Sequence, residues 1–383
     1  MKRAGHLFEK VADFSGLCAA ARHAARGKGA THSASAFVFH METEVLKLKR
    51  ELEDGSYRPR SYRTFYISDP KPRTISAADF RDRVAHHALC AALEPLFERA
   101  AIYDSYACRP GKGSHAAVAR ARLFARRFSY FLKLDIRKFF ENADHGVLKR
   151  GLWRLVKDAR LLALADAIID CGAPGSPPGK GLPIGNLTSQ HFANHYLCPL
   201  DHHIKEVLCV KGYVRYMDDM LLFSDSKEKL RDARERVREF VERQLKLRLK
   251  DEACVLAPVS EGIPFLGMRL WPRAIRLDGS GRRRFIHGLR LLRRGFAEGS
   301  RDEAEAMASL RSRLGHAEHA GTLRLRRSLF PLFERMDFGS EALRAPTASF
   351  AAAPGTTTPA TRVLATATTT IRATATTMSG CAS

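Results

Sequence analysis

The chain has 383 residues, 64 Lys and Arg against 41 Asp and Glu, and a formal net charge of +23. That length is enough for two or three domains with a sizeable core, and the charge argues for a polyanionic partner, nucleic acid ahead of an acidic membrane surface. No run of about 18 apolar residues is present to cross a bilayer, the opening residues lack the apolar stretch of a signal peptide, and eight cysteines without a CxxC pair argue against a zinc site or a disulfide framework.

Residues 1–60 read as helical, with Val45, Leu46 and Leu48 near helical spacing and Gly55 and Pro59 ending the element. Residues 62–76 read as extended, with a hairpin connection at Asp69-Pro70-Lys71-Pro72-Arg73. A helix is expected at 79–100, a loop at 104–114, a helix at 115–127, and a strand over Tyr130–Ile136. A Gly/Pro-rich stretch at 172–186 precedes a helix from Leu187 to Leu208. A hairpin at 214–223, a charged helix at 226–246, a short strand pair at 247–270 and basic helices at 285–335 complete the ordered part. The Ala/Thr-rich end, with no core-forming period, is expected to lie outside the folded unit.

The chemistry concentrates at Tyr216-Met217-Asp218-Asp219, where two adjacent carboxylates interrupt an apolar, strand-like run. Adjacent like charges at a tight turn repel, and a divalent cation held by carboxylate oxygens removes that cost. A polar hairpin turn is the plainer reading of an Asp-Asp pair taken alone. Asp135 also ends an apolar strand, in Leu134-Asp135-Ile136-Arg137-Lys138-Phe139-Phe140.

Together these blocks resemble the YxDD hairpin and first aspartate of reverse transcriptases. The resemblance spans roughly residues 60–335 and implies an α+β, right-hand polymerase. Its fingers, mostly antiparallel palm sheet and helical thumb would follow an N-terminal helical extension at 1–60. The fingers are expected at 61–134, the palm at 135–270 with part of the fingers at 145–190, the basic thumb at 271–340 and a tail at 341–383.

The resemblance implies Asp135, Asp218 and Asp219 as catalytic residues. With Ile136 they would hold two Mg²⁺ ions, Mn²⁺ being an alternative. Arg73 and Arg81, with Lys71, match the segment that clamps the triphosphate, although Arg81 and Arg83 could instead pair with Asp79 and Asp82. Phe140 matches the aromatic gate that excludes a 2′-hydroxyl. Lys250 matches a lysine near the triphosphate. Arg109 and Lys112 lie in Arg-Pro-Gly-Lys-Gly-Ser, which resembles a block often written Phe-Arg-Pro-Gly. That run lacks the spacing of a P-loop. Tyr216 and Met217 would meet nucleic acid, as would Phe265, Leu266 and Gly267 of a primer-grip hairpin. Arg282-Arg283-Arg284, Arg290, Arg293-Arg294 and Arg324 to Arg327 would grip a duplex backbone.

Pro183-Ile184-Gly185-Asn186-Leu187-Thr188-Ser189-Gln190 departs from the common Gln-Gly-x-x-x-Ser-Pro form. Ile184 stands for the Gln and Gln190 for the Pro. This version resembles reverse transcriptases of diversity-generating retroelements. It implies lowered base discrimination, with errors at template adenines, and places Ile184, Gly185 and Gln190 at the nucleotide. The expected partners are template RNA, an RNA–DNA hybrid with its primer, dNTPs and a small accessory variability protein, in a bacterial or phage cytoplasmic setting without a membrane. The tail permits a shifted-frame translation rich in Asn, similar to a template repeat, beside the plainer reading of an Ala/Thr tail. A group II intron or retron enzyme, or a non-catalytic RNA-binding scaffold, are the alternative functions.

Overall fold

The computed structural model describes residues 3–27, 31–68 and 72–329. Lys71, the end of the expected thumb and the 341–383 tail lie outside the described residues.

The first sixty residues carry helices at Phe8–Val11, Phe14–Ala25, His32–Phe39 and Met41–Glu53. Val45, Leu48 and Leu52 recur at helical spacing and are buried. These helices are not a separate extension. Leu17, Val45 and Leu48 share one core with Val84, Leu89 and Leu93 of helix Phe80–Ala100 and with Leu132 and Leu222 of the central sheet. The boundary expected at residue 60 is therefore no boundary in packing. Asp158 ties the chain start down further. Its carboxylate caps helix Ala159–Asp170 and also accepts the N–H groups of Leu7 and Phe8 at 3.0 and 2.9 Å.

Strands β1 (Arg63–Ile67) and β2 (Arg73–Ala77) pair as an antiparallel hairpin. Strands β3 (Tyr130–Asp135), β4 (Gly212–Tyr216), β5 (Asp219–Ser224) and β6 (Val255–Pro258) form an antiparallel sheet in the order β4-β5-β3-β6. Alternation along β3 separates two cores: Leu132 and Leu134 face the helices, while Phe131 joins Val214, Leu221 and Phe223 on the other side. Period two then puts Lys133 and Asp135 on the face of Phe131, and Asp219 on that of Leu221.

The 247–270 segment differs from the expected strand pair. β6 extends the large sheet, while β7 (Ile263–Phe265), β8 (Met268–Leu270) and β9 (Ile275–Leu277) make a separate three-stranded sheet. A third core lies between helices Gly279–Ala297 and Glu303–Glu318, built from Phe285, Leu289, Leu292, Ala306, Leu310 and Ala317. Arg282, Arg283, Arg290 and Arg293 stay exposed on the same helix.

The β4–β5 turn is braced from below by a buried ion pair. Arg215, 1% exposed, directs Nε and Nη2 to the two oxygens of Asp201 at 2.7 and 2.6 Å. Tyr213 donates its hydroxyl to the same carboxylate at 2.8 Å. Arg215 Nη1 reaches the Met217 carbonyl inside the turn at 3.1 Å. The pair thus joins helix Leu187–His202 to the hairpin.

Removing one partner of a buried pair strands the other charge. Arg215→Met is expected to cost about 3–5 kcal/mol in urea unfolding. A loss under about 1 kcal/mol would mean that water reaches the pair and that the brace contributes little.

Candidate active site

Asp135 ends β3, and Asp219 opens β5 as its register partner. Tyr216 pairs with Asp219 across the β4–β5 hairpin, so Met217 and Asp218 are the two turn residues. Met217 has φ 53° while Asp218 stays outside the left-handed region. That sign pattern belongs to a II′ turn, whose first central position favours Gly. A β-carbon there costs on the order of 1–3 kcal/mol, which the surrounding packing and the Arg215 contact must offset.

The three carboxylates act on one another. Burial pushes the Asp218 carboxyl up from the ordinary value, and the Asp135 charge adds to the rise, while Arg73 opposes it. Burial lifts Asp219 to about 7, against the counter-pull of Lys133. Lys133 Nζ lies 3.3 Å from Asp219 Oδ1, an ion pair without hydrogen-bond alignment, and donates to the Pro264 carbonyl at 3.2 Å. Lys133 was not singled out from the sequence. Its signal was there, since a lysine two residues before Asp135 in a strand must share its face.

Among the described residues, no group of three His, Cys, Asp or Glu side chains stands in metal-holding geometry. The carboxylates are electrostatic neighbours, with Asp219 drawn toward Lys133. Their chemistry nevertheless fits a hard divalent cation. Asp219 Oδ1 has no hydrogen bond. The bridge between Ile136 and Leu249 uses the Asp135 and Arg248 carbonyls and leaves that of Ile136 free of backbone bonds.

Other expected residues gather around this cluster. The Lys250 N–H donates to the Asp135 carbonyl at 2.8 Å, placing Lys250 beside the strand end. Phe140 is half-buried and meets Phe139 edge to face. Its carbonyl accepts the Leu182 N–H at 2.7 Å, which brings the 182–186 segment alongside. The Ile184 carbonyl accepts the Ser76 N–H of β2 at 2.8 Å. Gly185, at φ 113°, lies so near β2 that a Cβ would sit 2.7 Å from Ile75 Cγ2. Asn186, buried and not expected from the sequence, donates to the Ser76 carbonyl and accepts from the Ala78 N–H. Arg73 is exposed at the end of β2, within electrostatic reach of Asp218.

Three cations and one amide sit elsewhere than expected. The Arg81 guanidinium, 8% exposed, pairs with Glu51 and with Asp82 at 2.9 Å and covers the Tyr57 ring, so it is not free to clamp a phosphate. Arg109 is buried, with Nε on Glu98 at 2.8 Å and Nη1 on the Ile102 and Ser105 carbonyls, so its guanidinium holds its own loop. Lys112 Nζ donates to the Tyr103 carbonyl at 3.0 Å and lies over that ring. Gln190 Oε1 accepts from Cys108 Sγ at 3.1 Å. Phe265 is buried at the end of β7, and Leu266 and Gly267, at φ 51° and 76°, make a I′-type turn. Tyr216 packs at the edge of the second core and Met217 at the edge of the first.

Asp219 generates a pH dependence. Its folded value of about 7 lies above the ordinary 3.8, so the folded chain keeps a proton that the unfolded chain has lost. Stability associated with this group is therefore lost as pH rises from about 4 to about 7. In metal-free buffer, Asp219→Asn is expected to gain on the parent over that window by on the order of 1–2 kcal/mol, read from thermal midpoints. Parallel curves for the two proteins would place the carboxylate at its ordinary value.

A family model for reverse transcriptase (RNA-dependent DNA polymerase) matches residues 68–270, more than half of the chain. Protein YkfC of Escherichia coli (strain K12) is 27% identical over 273 residues, covering 60% of this chain and 72% of YkfC. The group II intron-encoded protein LtrA of Lactococcus lactis subsp. cremoris is 23% identical over 319 residues, 64% of this chain. The match spans 53% of LtrA, about half of that relative. Among solved structures, apo telomerase from Candida tropicalis truncated from its C-terminal domain gives a TM-score of 0.45 at 11% identity, covering 62% of this chain and 60% of that one, too slight a likeness to carry weight. With the family match running through β2, Asp135, the braced hairpin and the strands up to Leu270, this chain belongs to the reverse transcriptase (RNA-dependent DNA polymerase) family.

Proposed function

We propose that this chain copies a template RNA into DNA, with Asp135, Asp218 and Asp219 as its catalytic carboxylates. The observation that carries the reading is the placement of Asp135 opposite Asp219 with Asp218 at the adjoining turn. Burial and the neighbouring carboxylate charges raise the proton affinity of Asp218 and Asp219, a cost that a bound cation relieves. Divalent ions, Mg²⁺ foremost, would be held by the three aspartates and the Ile136 carbonyl and would supply charge neutralisation for nucleotidyl transfer. Arg73 would meet the triphosphate, being the exposed cation that faces Asp218. Lys250 would add charge at the strand end. Phe140 would pack under the incoming sugar. The four-stranded sheet would serve as palm, the β1–β2 hairpin as part of the fingers, and the exposed arginines of Gly279–Ala297 as a backbone grip.

Ile184 has no hydrogen-bonding side chain to offer at the nucleotide, and its backbone is tied to β2. A site that checks base-pair geometry with fewer polar contacts discriminates less. This supports low-fidelity copying; errors at adenine, a template repeat and an accessory variability protein come with the resemblance to diversity-generating retroelements alone. The resemblance to LtrA, named as group II intron-encoded, favours a second reading: an intron-type enzyme of ordinary fidelity.

Primer extension on an adenine-containing RNA template with Mg²⁺ and dNTPs, followed by cDNA sequencing, tests both. Extension is expected, with errors concentrated opposite adenine, and Asp218→Ala should lower the rate by about 10³-fold or more. Evenly low error would select the second reading. Undiminished extension by Asp218→Ala would remove the turn from catalysis.

Phe140 makes a separate prediction. Phe140→Ala should raise ribonucleotide incorporation relative to deoxynucleotide by at least about tenfold, as expected when a steric clash is relieved. An unchanged ratio would return Phe140 to a packing role beside Phe139.

A further inference from the structure

We infer that Gln190 is a positioning residue for the catalytic turn, acting through Cys108 and the 104–109 segment on β4, and that it does not itself contact the nucleotide. The inference rests on the polymerase reading above for its kinetic consequence, and on geometry alone for the linkage.

Helix Leu187–His202 presents one polar stripe inside the protein. Gln190, Asn194 and Asp201 stand at i, i+4 and i+11, on one face of the helix. Between them they engage two neighbours, β4 and the 104–109 segment. Asp201 holds Arg215. Asn194 accepts from Arg215 Nη1 at 3.1 Å and donates to the Ala107 carbonyl at 2.6 Å. Gln190 Oε1 accepts from Cys108 Sγ at 3.1 Å. The carbonyl oxygen of Gln190 is therefore turned onto protein.

The 104–109 segment runs beside β4 as a short parallel neighbour. The Arg215 N–H donates to the Asp104 carbonyl, and the Tyr106 N–H to the Arg215 carbonyl, both at 3.0 Å. Arg109 anchors the far end of the segment on Glu98 and two carbonyls. Cys108 between them has φ 50°, a backbone conformation that a β-carbon disfavours and that only a well-determined loop maintains. Gln190 Oε1 can only accept, so the sulfur must carry the proton. Burial pushes the Cys108 thiol up to about 12, which keeps it a donor at neutral pH.

The segment that carries the sulfur meets the hairpin through backbone, since it takes both the N–H and the carbonyl of Arg215, the residue before Tyr216. Tyr216 is the residue before the turn and the register partner of Asp219. A shift of the Gln190 amide is thus passed through one thiol and the 104–109 backbone to β4, which leads into the turn.

The test is primer-extension kinetics on Cys108→Ala, Gln190→Met, their combination and Cys108→Ser, beside the parent enzyme. A linked pair predicts that each single variant lowers kcat by about 5–20-fold while KM for dNTP stays within about twofold, as slight misplacement of reacting groups does. The double variant should be no slower than the slower single, and Cys108→Ser, which keeps a donor, should recover most of the loss. A rise of about tenfold in KM for Gln190→Met with Cys108→Ala silent would overturn the inference and return Gln190 to the nucleotide. Losses that multiply in the double variant would also overturn it. Should the parent enzyme not extend a primer, the polymerase reading falls on its own. The linkage is then read from thermal midpoints of the same proteins: shifts that fail to add support it, and additive shifts sink it.

Discussion

The site depends on a cation sealed in the interior. Arg215 lies there with both oxygens of Asp201 and a turn carbonyl as partners. Burying an arginine and an aspartate together is costly, and fork-to-carboxylate geometry with Tyr213 completing the shell is what makes it tolerable. The return is positional. A strained, two-residue turn with Met217 in a left-handed conformation is held at a fixed height above the sheet. The two carboxylates it bears are thereby kept in a partly buried place that they would otherwise leave for water.

That arrangement explains the electrostatics of the cluster. Asp219 lies in register with Asp135, and Asp218 is one residue away on the turn. Burial and like charge push protons onto Asp218 and Asp219, while Lys133 and Arg73 pull the other way. The site is poised to accept positive charge: a divalent cation would displace protons from the carboxylates and compete with Lys133 for Asp219. The basic character of the chain therefore does two things. Exposed arginines such as Arg282 and Arg283 suit a polyanion, and a few inward cations temper an acidic centre.

The β1–β2 hairpin is coupled to the same centre through backbone. Asn186, the Ile184 carbonyl and the close approach of Gly185 bind the 184–186 segment to β2. Phe140 is tied to that segment through Leu182. The two blocks that depart from the common family forms, Cys108 in one and Gln190 in the other, meet each other across a hydrogen bond. Departures that look independent along the chain are one contact in space.

The sequence by itself determined the order of elements around the site and the identity of the carboxylates. Adjacent acids between two apolar runs announce a hairpin with charge at its tip, and an acid closing an apolar strand announces its partner, because alternation is local and survives in the bare string. Period two would also have put Lys133 beside Asp135. What only the tertiary structure decided were the partners of long side chains. Arg81, Arg109 and Gln190 look like ligands for a nucleotide or template in their motifs. Arg81 is engaged by Asp82, the neighbour its own motif offered, and also by Glu51, thirty residues earlier; Arg109 is engaged by Glu98, and Gln190 by Cys108, more than eighty residues away. The partner of a charged or amide group is whichever counter-group the fold brings within about 3 Å, and separation along the chain carries no information about that. The same reason hid the shared core of residues 1–60, whose helices read as an extension until the apolar faces they cover were seen on the other side.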